Sequence, residues 1–257
     1  MQQNQILSAG LWGRFAQSFC VLQGDLDALE RVLYQRADPA LRAELLPLLR
    51  DMACRLPSLE RLANQTADIA IGSALRTVHR QDALDLAFLL EELAQDANTE
   101  LAHRGMTAAV ELELKTDSVP FVGDSSLVCA IMVNLLSNAL GAKADARVRW
   151  TLTGTALICR DDGPGLPEDA WRTLLENSRG AGWMDHGGTG LLLIRQYADC
   201  LGWAITCQEG AICFALPGFP ANRQMELASG GGGELTREQA RHLLSRELDA
   251  LELKTRG

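Results

Sequence analysis

The chain has 257 residues, 47% of them hydrophobic and 22% charged, a globular mix that excludes wholesale disorder and leaves room for a sizeable core. Acidic residues outnumber basic ones by 33 to 24, giving a formal charge of -9. Nucleic acid is therefore not an expected partner, because a phosphate backbone requires a basic footprint. The 7 cysteines are scattered without a CxxC pair, which predicts reduced, mostly buried thiols and no disulfide frame or zinc site. No basic n-region follows Met1, and no apolar run reads as approaching the ~18 residues of a membrane span, so the expectation is a cytoplasmic protein with no membrane span.

Residues 1–75 read as a helical hairpin. Trp12, Phe15, Phe19, Leu22, Leu26, Leu29 and Leu33 recur at alternating intervals of three and four, the seam of a helix that packs along its length. Asp38-Pro39 marks a turn, with Asp as N-cap and Pro at the first helical position. The rhythm resumes through Leu45, Leu49, Met52, Leu56, Leu59 and Ala63, and Pro47 and Pro57 are expected to bend this second helix. A lone hairpin leaves its seam uncovered. A homodimer closing a four-helix bundle is the favoured solution, and packing on the rest of the same chain is the alternative.

Residues 80–217 alternate helical and extended patterns. A helix is expected over 84–101, with Glu91, Glu92, Gln95 and Asp96 on its polar face. A strand follows at 110–114, then a helix capped by Asp124 and running to about 142. Strands at 148–152 and 157–160, short helices at 168–176 and 189–201, and a hairpin of 203–208 with 211–215 complete the region. Strands grouped into hairpins beside gathered helices predict an α+β sandwich. Residues 218–233 contain four successive glycines and read as a linker. Residues 234–257 read as an amphipathic helix carrying Ala240, Leu243, Leu244, Leu248 and Leu251, either a docking helix or a flap folded back on the core.

Three segments carry the chemistry. Asn134 and Asn138 share one helix face, and a carboxamide oxygen can ligand a hard cation such as Mg²⁺ that bridges to phosphates. Asp161-Asp162-Gly163-Pro164-Gly165 ends a strand, placing a carboxylate beside glycines that permit a sharp turn and close approach of a ligand. Gly187-Gly188-Thr189-Gly190-Leu191 opens a helix, whose exposed N–H groups and positive dipole end suit phosphate. Each string is common by itself.

In this order and spacing the three resemble the N, G1 and G2 boxes of the GHKL ATPase superfamily, and Asn134-Leu135-Leu136-Ser137-Asn138-Ala139 most resembles the sensor histidine kinase version. The resemblance covers about residues 5–217 and implies a Bergerat-type α/β sandwich after a dimerisation hairpin. It implies an ATP/ADP site in which Asp161 holds the adenine amine and Gly163 and Gly165 allow the turn. Asn138 would ligand Mg²⁺, Asn134 would line the same face, and Gly188, Thr189, Gly190 and Leu191 would cradle the phosphates beneath a lid at 177–187. Hydrolysing members of the superfamily place a glutamate where Asn134 stands. An amide cannot take a proton from water, so rapid hydrolysis is disfavoured and transfer to another acceptor stays open. Lys143 and Arg179 are candidates for neutralising phosphate charge.

The departures are equally specific. The first helix contains no histidine, and its stretch 15–21 reads Phe-Ala-Gln-Ser-Phe-Cys-Val where a phosphoacceptor is expected. The four histidines are His79, His103, His186 and His242. Leu192 replaces a usual third glycine, and Asp162 replaces the common asparagine. No catalytic residue is assigned. The resemblance thus implies either phosphoryl transfer to a partner, such as a response-regulator-like protein, or a nucleotide-regulated pseudokinase. The alternative is a degenerate-kinase adaptor that binds no ATP; a serine kinase of the anti-sigma-factor type is disfavoured by the hairpin and by Asn134.

Overall fold

The computed structural model describes residues 2–53, 56, 59, 63, 82–176, 189–218, 237, 238, 240–245 and 247–249. The chain divides into two compact units, Met1–Ala74 with Leu248–Gly257, and Leu75–Glu247.

In the first unit, α1 spans Gln2–Arg36 and α2 covers 39–53, with residues 56, 59 and 63 also helical. Asp38 caps α2 as expected, its Oδ1 accepting from the N–H groups of Ala40 and Leu41 at 2.9 Å each. Arg42 closes the turn from the other side. Its guanidinium donates to the carbonyls of Tyr34 and Ala37 at 2.9 and 3.0 Å, satisfying orphan groups at the end of α1, and lies over the Tyr34 ring at 5.6 Å. Arg50 on α2 donates to the Tyr34 hydroxyl at 3.0 Å and sits 3.7 Å from Glu30, so the two helices run back along each other. Helix α2 passes through Pro47; Pro57 lies outside the described residues. One half of the seam is sheltered, at Phe19, Leu26, Leu33, Leu45, Leu49 and Leu56. The other half is open, with Leu22, Leu29, Met52 and Leu59 exposed by 49, 51, 57 and 54%.

The second unit is a mixed sandwich. Its main sheet has the order β2-β4-β5-β7-β6, formed by β2 (Ala109–Leu114), β4 (Arg147–Leu152), β5 (Ala156–Asp161), β7 (Ala211–Ala215) and β6 (Ala204–Gln208). The β2–β4 pair is parallel and the others are antiparallel. The helices are α3 (Leu86–His103), α4 (Ser125–Ala142), α5 (Glu168–Glu176) and α6 (Thr189–Leu201). Strand alternation aims Val110, Val148, Trp150, Leu152, Leu157, Cys159, Ile212 and Phe214 at the helices, and all are buried. Asn98 pins α3 to β2 by exchanging hydrogen bonds with the Val110 backbone at 2.8 and 2.9 Å.

Three sequence expectations need correction. Residues 84 and 85 belong not to a helix but to β1 (Asp82–Asp85), which pairs antiparallel with β3 (Pro120–Gly123). Neither four-residue strand has a period long enough to read; each is defined by the other. Asp85 instead caps α3, accepting from Ala87 N–H at 2.9 Å and from Val119 N–H at 3.0 Å. Trp203 precedes β6, its N–H bonded to the Ala198 carbonyl at 2.8 Å in the turn that ends α6, and its ring meets Phe121 and Phe214 at 5.7 and 5.8 Å. Helix α4 does have the length and hydropathy of a membrane span, but 67% of it is buried in this unit, as befits a core helix.

Candidate functional site

The site is built where α4, the end of β5 and the start of α6 meet. On α4, Asn134 is 6% exposed, and its Nδ2 donates to the Ala130 carbonyl at 2.8 Å. Its Oδ1 faces the first turn of α6. One turn on, Asn138 has a buried Nδ2 with no hydrogen-bond partner among the described residues. An orphaned amide costs on the order of 1–3 kcal/mol, which a bound polar group can recover. Gly190 closes the arrangement: a β-carbon there would lie 3.2 Å from Asn138 Oδ1 and 3.5 Å from Asn134 Oδ1. The first turn of α6 thus comes down on both carboxamides at a distance that only glycine accommodates without displacement.

Asp161 is the last residue of β5. The alternation that buries Leu157 and Cys159 aims it at the same apolar layer, opposite Val148 of β4. Its Oδ1 accepts from Gly163 N–H at 2.9 Å, and a β-carbon at 163 would stand 2.7 Å from that oxygen. Gly165 has φ +80°, a left-handed conformation. The two glycines therefore serve different needs, space at 163 and torsion at 165.

One cleft is lined by Asn138, Asp161, Gly165 and Leu191, over a floor of Leu135, Val148, Cys159 and Ile212. An apolar floor with a few polar groups at its edge suits a flat heterocycle. Burial pushes the Cys159 thiol up, so it serves here as a protonated apolar surface.

The electrostatics next to Asp161 were not legible in the sequence. Asp162 turns away from the cleft, accepting from Lys143 Nζ at 2.7 Å and from Arg147 N–H at 2.8 Å. The Lys143 hydrogen bond, followed by that backbone N–H, holds the Asp162 carboxyl below the usual carboxylate range, and the same pair raises Lys143. Lys143, a candidate for neutralising phosphate charge, is thus paired with Asp162 in this structure. Arg195 on α6 was also missed: its Nη1 donates to the carbonyls of Leu174 and Leu175 at 3.3 and 2.9 Å, tying the end of α5 to α6.

Gly187, Gly188, the expected lid at 177–187 with Arg179 and His186, and His79 lie outside the described residues, and Thr189 is described only as the start of α6. His103 and His242 are exposed and neither lines the cleft. Among the described residues, no group of three or more His, Cys, Asp or Glu side chains could hold a metal ion.

No protein-family model matches the chain, and no curated protein matches it. Among solved structures, the chain is similar to histidine kinase ThkA in complex with response regulator protein TrrA, at 16% identity and a TM-score of 0.53, over 86% of this chain and 65% of that one. It is similar to full-length ShkA in complex with AMPPNP, at 20% identity and a TM-score of 0.54, over 83% of this chain but only 47% of that one. The Acinetobacter baumannii histidine kinase AdeS also matches, at 16% identity and a TM-score of 0.49, over 79% of this chain and 96% of that one. The fold is thus similar to that of these histidine kinases, with a helical N-terminal region and an α/β domain after it.

Proposed function

We propose that the chain binds an adenine nucleotide with Mg²⁺ in the cleft between α4, β5 and α6, and works in two-component-type signalling as a histidine-kinase-like protein. The observation that carries this reading is the meeting of Gly190 with the carboxamides of Asn134 and Asn138, at the end of a cleft that also holds Asp161 and Gly165. The carboxylate edge of Asp161 suits an exocyclic amine, and the N-terminal turn of α6 suits phosphate.

The residues fit a Mg²⁺ that arrives with its nucleotide. The amide oxygen of Asn138 is one hard ligand, and phosphates and water would supply the rest. When bound, the ion would neutralise phosphate charge; the chain's own groups bind and orient. Asn134 cannot act as a base toward water, which favours holding the nucleotide or passing its phosphoryl group to a protein over hydrolysis. ShkA in complex with AMPPNP supports the nucleotide, and ThkA in complex with TrrA supports a response-regulator partner. With no histidine in α1, the chain either phosphorylates a partner or signals by nucleotide occupancy alone.

The hairpin is proposed to form a homodimer, because Leu22, Leu29, Met52 and Leu59 stay about half exposed along an otherwise sheltered seam. Such faces are covered when two hairpins close a four-helix bundle.

Titration of the purified chain with ADP and ATP, with and without Mg²⁺, tests the central claim by thermal shift. Nucleotide at 100 times its dissociation constant adds about 2.7 kcal/mol of stability. Absence of any shift at millimolar nucleotide would favour the ATP-free adaptor. Incubation with γ-labelled ATP and a response regulator then separates kinase from pseudokinase.

A further inference from the structure

The described residues between 237 and 249 are helical, and those up to 247 lie on α3 and α4. The seating is matched by charge. Glu92 and Asp96 are one turn apart on α3, and Arg237 and Arg241 are one turn apart on the C-terminal segment. Arg237 forks onto both Asp96 oxygens at 3.0 Å each and also reaches Glu92, while Arg241 donates to Asp96 at 2.8 Å. Further along, Arg104 at the end of α3 donates to Ser245 Oγ at 2.9 Å. Ala240 and Leu244 are buried on the intervening face.

The last contact bears on the candidate site. Ser137 Oγ donates to Glu247 Oε2 at 3.3 Å, and both residues are buried. Ser137 lies on α4 between Asn134 and Asn138. A helix packed on a single layer keeps an exposed stripe; α4 has none from 131 to 137, where every residue is buried. The C-terminal segment therefore helps to enclose the helix that presents both carboxamides, while α6 meets that helix at Gly190.

We propose that residues 237–247 are a brace for α4, and that seating of this helix on α3 and α4 is coupled to nucleotide binding, each favouring the other. The coupling rests on the nucleotide reading above; the seating does not. Reciprocity follows from linkage: if the brace holds α4 in the binding geometry, bound nucleotide must hold the brace by the same factor.

The test uses the full chain and three forms of it: wild type, R237D/R241D, and R237D/R241D with D96R added to restore opposite charge. Backbone hydrogen exchange over 125–142 and 237–249 reports seating, and a titration with ADP and Mg²⁺ reports affinity. R237D/R241D is expected to exchange faster in both segments and to bind at least ~5-fold more weakly, the low end of typical couplings. Adding D96R should recover both, which a misfolded variant could not do. In wild type, nucleotide should slow exchange across 237–249. Equal affinity in wild type and R237D/R241D, or no recovery with D96R, overturns the proposal. A wild-type chain that binds no nucleotide overturns the nucleotide reading and the coupling with it, an outcome told apart by the absence of any titration signal.

Discussion

Gly190 stands so close to Asn138 that a β-carbon at 190 would lie 3.2 Å from the asparagine Oδ1, which joins the first turn of α6 to the carboxamide face of α4. Alanine at 190 should therefore separate stability from binding. It improves helix propensity by about 0.8–1 kcal/mol while pushing into both carboxamides. The melting temperature of G190A is expected to hold or rise slightly, and its nucleotide affinity to fall about tenfold, equivalent to ~1.4 kcal/mol. Paired thermal melts and nucleotide titrations check this, and a normal affinity would remove Gly190 from the site.

Asp161 and Gly163 form a second test. D161A should abolish nucleotide-dependent thermal shift with little effect on the free protein, because the side chain is exposed at the cleft rim. G163A places a β-carbon 2.7 Å from Asp161 Oδ1, so the carboxylate or the turn must move. The expected result is loss of nucleotide binding at a stability cost of about 1 kcal/mol or less, because the exposed carboxylate can swing aside and gives up only its hydrogen bond from Gly163 N–H. Denaturant melts of the two variants separate these outcomes.

Asp96 gives a pH dependence with a definite sign. Its burial raises the carboxyl, but the hydrogen bonds from Arg237 and Arg241 outweigh this, and the net pKa lies below the ordinary value of 3.8. A carboxyl lowered on folding contributes stability above its unfolded pKa and loses it as pH falls through the folded one. Acid unfolding of wild type should therefore steepen below about pH 4, and D96N should flatten that limb. At neutral pH, D96N is expected to cost about 1–3 kcal/mol, toward the low end because Arg241 can turn to water, its side chain being 58% exposed. Urea melts at pH 7 and pH 3.5 measure both quantities.

Leu22 and Leu29 test the dimer. The double substitution L22K/L29K places charge on the open half of the seam, where burial in a bundle would be prohibitive, and leaves the sheltered half intact. Sedimentation should show a dimer for wild type and a monomer of unchanged helicity for the variant. A wild-type monomer at high concentration would refute the proposed bundle.

The parts of the molecule legible in the sequence are those whose geometry is dictated by near neighbours. Asn134 and Asn138 share a face because a helix repeats every ~3.6 residues, and Asp161 falls on the same side of β5 as Leu157 and Cys159 because a strand alternates. Gly163 and Gly165 announce a turn because other residues clash or strain there, and Asp38 and Asp124 cap helices through bonds to N–H groups two or three residues on. The seam of α1 and α2 likewise shows its period over enough turns to be read.

Tertiary structure decided the rest, because the determining partner lies far along the chain. Strands β1 and β3 exist only through each other, and four residues carry no period. Lys143 pairs with Asp162, 19 residues away, which no local pattern announces. Asp96 sits on what reads as a polar helix face, yet it is buried because Arg237, 141 positions later, folds back onto it. The sequence alone left open whether the C-terminal helix docks elsewhere or on its own core. That choice depends on whether two arginines one turn apart meet two carboxylates one turn apart, a match between surfaces and not a property of either segment.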